Sequence, residues 1–148
     1  MPKYHIFTDG ACSNNPGIGG WAFIIKSENG DIIEKSGGCE NTTNNRMELK
    51  SVIEALKEIK EHSDVIITSD SKYVVDSVEK GWLYTWDRIG WKRKDGSNTI
   101  NMDLWKECLN LLKKHNVKFE WVRGHSGHKE NERCDELSKI MVKKLASK

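Results

Sequence analysis

The 148-residue sequence has no run of about 18 apolar residues, the minimum for a membrane-spanning helix, and no basic segment leading into an apolar one at its start. Neither membrane insertion nor export is expected, and the expected setting is cytoplasmic. Its cysteines, Cys12, Cys39, Cys108 and Cys134, are scattered with no Cys-x-x-Cys pair, which argues against a disulfide scaffold or a zinc knuckle and suits a reducing compartment. A large excess of one charge is missing as well. The net charge of +2 does not by itself announce a nucleic-acid partner. Internal repeats, low-complexity segments, linkers and hydrophobic heptads are all absent, so one domain over residues 1–148 and a monomer are expected. With 36% apolar and 31% charged residues the core must be lean, and the six tryptophans either fill it or form an outward contact surface.

What is present alternates between strand and helix signals. Tyr4–Asp9 reads as a strand with Tyr4, Ile6 and Thr8 on one face and His5, Phe7 and Asp9 on the other, which puts Asp9 at a strand end. Gly10–Gly20 reads as a glycine-rich loop able to bring backbone N–H groups close to a ligand. Residues 21–26 and 31–36, joined through Asn29-Gly30, complete an antiparallel meander. Leu49, Val52, Ile53, Leu56 and Ile59 predict a helix with Thr43, Asn44 or Asn45 as N-cap. Val65–Asp70 is a further strand, followed by a helix carrying Tyr73, Val74, Val75 and Val78. Strand, helix, strand implies parallel pairing with a right-handed crossover. Residues 102–112 give another helix with Asn101 or a neighbour as cap, 117–122 a fifth strand, and Lys129 onward a last helix with Cys134, Leu137, Met141 and Leu145 on one face. Between them, Lys80–Lys94 interleaves Trp82, Tyr84, Trp86 and Trp91 with five basic residues against Asp87 alone, a local charge of +4.

Four acids stand out. Glu48 follows Asn45 by three residues and could complete a capping box, Asp70 or the adjacent Ser71 could cap the helix after them, and Asp135 could be a solvated helix residue. Their positions favour a joint use, because ligands of open α/β sheets gather beyond the carboxyl ends of parallel strands. Asp9 and Asp70 would occupy such ends, and Glu48 begins the helix connecting them. Carboxylates gathered within a few ångströms raise one another's pKa unless a cation intervenes, and all-oxygen ligation favours Mg2+, or Mn2+, over zinc. Such an incomplete cage suits phosphate chemistry, in which two ions can activate water and stabilise a leaving oxygen.

Five segments, Thr8–Cys12 with Asn15-Pro16-Gly17, Thr42–Leu49, Thr68–Val74, Trp121–His128 and Asn131–Leu137, closely resemble those of bacterial type 1 ribonuclease H, in the same order and over Tyr4 to about Leu145. The resemblance implies an α/β ribonuclease H-like fold: a mixed five-stranded sheet, antiparallel meander plus parallel strands, with helices on both faces. It implies an endonuclease, a hydrolase that cleaves the RNA strand of RNA–DNA hybrids and leaves 5′-phosphate and 3′-hydroxyl ends. Asp9, Glu48, Asp70 and Asp135 would be the catalytic metal ligands for two Mg2+ ions, with Asp9 as the bridge. His125 would sit on a mobile loop between Gly124 and Gly127 and transfer a proton.

Asn15, Asn44 and Asn45 resemble residues that face the minor groove of the hybrid, with Thr43 and Cys12 beside them. Lys80–Lys94 resembles a basic protrusion, in which Trp82, Lys92, Arg93 and Lys94 approach the DNA strand. Trp86 could instead pack inward, or against Trp82 at i, i+4. Lys72 adds a charge where polar residues are also common in the family. No hybrid-binding module precedes Tyr4, so processivity through one is not expected, and the basic tail from Lys143 is shorter than in longer relatives. Three alternatives stand beside this reading. One is a noncatalytic hybrid-binding module of the same fold; another is a zinc site of His125, His128 and Cys134; the third is an aspartyl-phosphate enzyme, for which Ala11 stands where a second aspartate would be needed.

Overall fold

The computed structural model describes residues 1–148. The elements follow the alternation read above: β1 (Lys3–Cys12), β2 (Gly17–Ser27), β3 (Ile32–Thr42), α1 (Asn44–Lys57), β4 (Asp64–Ser69), α2 (Lys72–Glu79), α3 (Trp82–Arg88), α4 (Met102–Leu112), β5 (Asn116–Trp121) and α5 (Lys129–Ala146). The five strands form one sheet in the order β3-β2-β1-β4-β5. β1 to β3 pair antiparallel, whereas β1, β4 and β5 pair parallel.

Strand alternation divides the apolar residues between two faces. Ile6, Phe23 and Ile25 point to the larger core, which they share with Leu49, Val52, Ile53 and Leu56 of α1 and with residues of α2 and α4. Phe7, Ala22 and Ile24 point the other way, to Cys134 and Leu137 of α5. Helices therefore cover both faces. Trp105 is fully buried in the larger core, and Trp86 packs between Trp91 and Trp105 at 6.5 and 5.8 Å, so the inward reading of Trp86 holds and its pairing with Trp82 does not.

Several expectations need correction. Asp9 is not at the end of its strand: β1 continues to Cys12, because β2 keeps pairing with it as far as Cys12↔Gly19. What ends near Asp9 is the parallel ladder with β4, whose last pair is Phe7↔Thr68. The glycine-rich segment is mostly strand, with a turn only around Ser13–Pro16 and a cis bond at Asn15-Pro16. Its glycines serve close packing: a Cβ on Gly10 would come 2.4 Å from the α1 backbone at Met47 and Glu48, and one on Gly20 would come 2.3 Å from the Ser138 carbonyl oxygen of α5. Gly10 and Gly20 thus let helices on opposite faces sit directly on the strands.

Glu48 is not part of a capping box. The N-cap of α1 is Thr43, whose hydroxyl accepts from the Arg46 N–H, so Arg46 occupies the third helical position and Glu48 lies beyond the first turn. Asp70 is not a cap either, since Ser71 caps α2 by accepting from Val74 N–H. Asn101 precedes α4 in the left-handed conformation (φ 60°) without a side-chain cap; its amide accepts from Arg46 and donates to the Tyr73 hydroxyl. The basic stretch contains a helix, α3, that its aromatic and basic alternation did not reveal.

Packing at Gly20 is backbone against backbone and has no flexible group to yield. Gly20→Ala should therefore lower unfolding free energy by about 1–3 kcal/mol in denaturant titration. Gly38→Ala, whose methyl would first meet the terminal Cδ1 of Leu145, should cost clearly less.

Candidate active site

The acids arrive from separate elements. Asp9 comes from β1, two residues past the last β1–β4 pair, and Asp70 from the bend after β4. Glu48 comes from α1, brought against β1 by the bare Gly10 backbone. Carboxylate oxygens of Asp9, Glu48 and Asp70 lie within 4.8 Å of one another. Asp9 and Glu48 are only 5% and 6% exposed, deep enough that ionising either without a partner is costly.

Asp135 joins the cleft through the seating of α5. Asn131 Nδ2 donates to the Thr68 carbonyl (3.3 Å), Cys134 Sγ to that of Phe7 (3.4 Å) and Ser138 Oγ to that of Asp9 (3.3 Å). These three bonds fix the helix face that carries Asp135, which lines one small cleft with Asp9, Asp70 and His125. Lys139, one turn on, pairs with the Asp135 carboxylate at 3.0 Å.

No ion pair involves Asp9, Glu48 or Asp70. Burial, then the charge of Asp70, pushes the Asp9 carboxyl up to about 8. Burial, followed by the charges of Asp9 and Asp70, holds the Glu48 carboxyl well above the usual carboxylate range. Asp9 Oδ1 accepts from Gly10 N–H, but Glu48 Oε1 and Asp70 Oδ1 are buried with no hydrogen-bond partner. Orphaned acceptors of this kind are uncommon in folded proteins. An all-oxygen set with two such atoms fits a hard divalent cation, which would replace the missing protons and donors together.

His125 is exposed on the β5–α5 loop with φ 55°. Gly124 does more than loosen that loop, since a Cβ there would stand 2.8 Å from Asp70 Oδ2. The zinc alternative fails at Cys134, a buried thiol that donates to Phe7 and that burial pushes up, away from the thiolate.

The other expected contacts fall into two groups. Asn15 Oδ1 accepts from the Asn44 N–H at 2.8 Å, so the turn of β1–β2 docks on the α1 N-terminus; the Cys12 thiol faces the Thr42 carbonyl next to the Thr43 cap. Asn45 lines a groove with Tyr73, Trp86, Lys92, Arg93 and Lys94. Trp82 does not line it: the residue is 44% exposed, and its ring carries the Lys80 ammonium at 5.6 Å. Lys72 lies over Trp121 at 5.1 Å. Arg123, Ser126, Asn131 and Glu132 line the acidic cleft without having been anticipated as site residues, and His128, considered only for a zinc site, lines it too. Of these only Asn131 carried a signal, its i, i+4 spacing from Asp135.

The RNase H family profile matches residues 1–143. A ribonuclease H of Nitratidesulfovibrio vulgaris (strain DP4) is 52% identical over 137 residues, 93% of this chain and 87% of the relative. The chain belongs to the bacterial type 1 ribonuclease H family. Membership in that family makes it an enzyme, a nuclease of the hydrolase class. Among solved structures, LC9-RNase H1, a type 1 RNase H with the type 2 active-site motif, is 34% identical with a TM-score of 0.84, over 97% of this chain and 73% of that one. LC11-RNase H1, solved in complex with RNA/DNA hybrid, shares the ribonuclease H fold at 21% identity and a TM-score of 0.69, over 97% of this chain and 99% of that one. The sheet and flanking helices described above are thus those of a ribonuclease H. No helix is long and apolar enough to cross a membrane.

An Asp9 carboxyl that holds its proton to about pH 8 when folded, against about 4 when unfolded, stabilises the fold at low pH. That contribution is complete below pH 4 and is lost as pH rises to 8. In chelator, the melting temperature should fall between pH 5 and pH 8.5. Asp9→Asn should flatten that dependence and melt higher than the parent at pH 8, as read by thermal denaturation.

Proposed function

We propose that the chain cleaves the RNA strand of RNA–DNA hybrids endonucleolytically, with Asp9, Glu48, Asp70 and Asp135 holding divalent cations. The observation that carries this reading is the convergence of Asp9, Glu48 and Asp70, the first two buried and the last two with orphaned oxygens, in a member of the ribonuclease H family. Mg2+, with Mn2+ as substitute, is the ion that the donor set suits, two of them when substrate is bound. Ions held there would supply an activated water and charge stabilisation for in-line displacement of the 3′ oxygen, giving 5′-phosphate and 3′-hydroxyl ends.

The chain's own groups divide the remaining work. Asp9, the most central acid by its position on β1, bridges the Glu48 and Asp70 sides of the cleft. His125, exposed at the cleft mouth, donates a proton from a ring nitrogen to the leaving 3′ oxygen as it becomes the 3′-hydroxyl. Asn44 and Asn45 have side-chain amides free of protein partners at the start of α1, and Asn15, with its oxygen committed to Asn44, keeps its NH2 free. Such amides suit 2′-hydroxyls and base edges of the minor groove, with Thr43 and Cys12 alongside. Lys92, Arg93 and Lys94, next to Asn45 in one groove, suit the phosphates of the DNA strand, and Trp82 offers an exposed ring farther out on the same protrusion. A monomer acting in the cytoplasm, folded as one domain, agrees with this reading.

The direct test incubates labelled RNA–DNA, RNA–RNA and DNA–DNA duplexes with Mg2+, and again with chelator. Cleavage confined to RNA in the hybrid and abolished by chelator is expected. Hybrid binding with no cleavage would return the chain to the noncatalytic module, and equal cleavage of all three duplexes would contradict hybrid specificity. Replacing Lys92, Arg93 and Lys94 by alanine should reduce the slope of log affinity against log salt by about 2.7, because fewer counterions are released. An unchanged slope would remove these residues from the interface.

A further inference from the structure

Asp70 is the least anchored acid of the cluster. Neither carboxylate oxygen makes a hydrogen bond within the protein, Oδ1 is buried and unpartnered, and capping of α2 is left to Ser71. Something else must fix it. One segment meets it at both ends: the Trp121 indole Nε1–H donates to the Asp70 carbonyl oxygen at 3.0 Å, while the bare Gly124 backbone faces Asp70 Oδ2, where a Cβ would stand only 2.8 Å away. The backbone between them is tied to the same strand end, Val122 N–H donating to the Ser69 carbonyl at 3.0 Å.

We propose that Trp121 and Gly124 form a clasp that orients the Asp70 carboxylate and so sets the affinity of the acidic cluster for divalent cations. This rests on Asp70 being a cation ligand, as proposed above. Trp121 is a positioning residue, acting through Asp70. The residue is 43% exposed and its ring bears the Lys72 ammonium on one face, so its place at the end of β5 is poorly explained by core packing alone. Because Gly124 immediately precedes His125, the clasp also ties the His125 loop to the cation site.

Two variants separate this from a structural role. Trp121→Phe keeps an aromatic ring and removes the N–H; Gly124→Ala keeps the N–H and pushes a methyl against Oδ2. Mn2+ binding to the full chain, measured by titration calorimetry without substrate, should weaken roughly tenfold or more in each, the usual scale for loss of an outer-shell partner. Melting in chelator should stay within about 2 °C of the parent, since neither change empties the core. Hybrid KM should hold while kcat at low Mg2+ falls and recovers at high Mg2+. Parent-like Mn2+ affinity in both variants would overturn the clasp. Asp70→Asn serves as the control: if it too binds Mn2+ like the parent, Asp70 is no ligand, and the functional reading fails along with the clasp built on it.

Discussion

Asp9, Glu48 and Asp70 occupy a volume in which they cannot all be charged without a cation. Coulomb repulsion between neighbouring carboxylates is strong where water is excluded, and no lysine or arginine of the chain pairs with any of the three. The protein therefore keeps a proton on Asp9 or Glu48, or holds a divalent ion among the three. Much of the surrounding architecture serves to keep them together: the glycines of β1 and β2 that bring α1 and α5 down onto the strands, and the three side-chain bonds that seat α5 on β1 and β4.

The placement also separates chemistry from recognition. The acids gather where the parallel half of the sheet ends and the antiparallel half runs on, so β1 serves both halves, pairing with β2 beyond the point where β4 stops. Asparagines around the α1 N-terminus adjoin the basic groove beside Trp86, whereas the His125 loop lines the acidic cleft itself. Arg46 links α1 to α4, pairing through both guanidinium nitrogens with Asp103 at 2.9 and 2.7 Å. Tyr73, whose hydroxyl accepts from Asn101 and from Trp105, joins α2 to the same network.

Periodicity was enough to read most of the fold. Alternation along Tyr4–Asp9 placed Ile6 and Phe7 on opposite faces correctly, and the i, i+3, i+4 stripe from Leu49 to Ile59 became the buried side of α1 and its end. The convergence of Asp9, Glu48 and Asp70 followed from topology plus family resemblance. Glycine use did not follow, because a glycine needed for close packing and one needed for a loop are the same letter; only the coordinates show Gly10 under α1 and Gly20 under α5. The choice among cap candidates stayed open for a similar reason. Thr43, Asn44 and Asn45 are all competent caps, and the choice of Thr43 depends on how β3 delivers the chain, a tertiary matter that moved Glu48 out of the first turn. Trp82 and Trp86 look alike in sequence, yet only Trp86 faces the Trp91–Trp105 cluster. The Asp70 contacts of Trp121 and Gly124 cross between β5 and β4 and have no local signature.

The account stands on a divalent cation being the natural partner of the buried acids. A crystal structure of the protein grown with Mn2+, with anomalous scattering collected at the manganese edge, tests this most directly. A peak bonded to oxygens of Asp9, Glu48 and Asp70, with Glu48 Oε1 or Asp70 Oδ1 among its ligands, is the predicted result. No peak there, with Mn2+ present in the crystal, would contradict it.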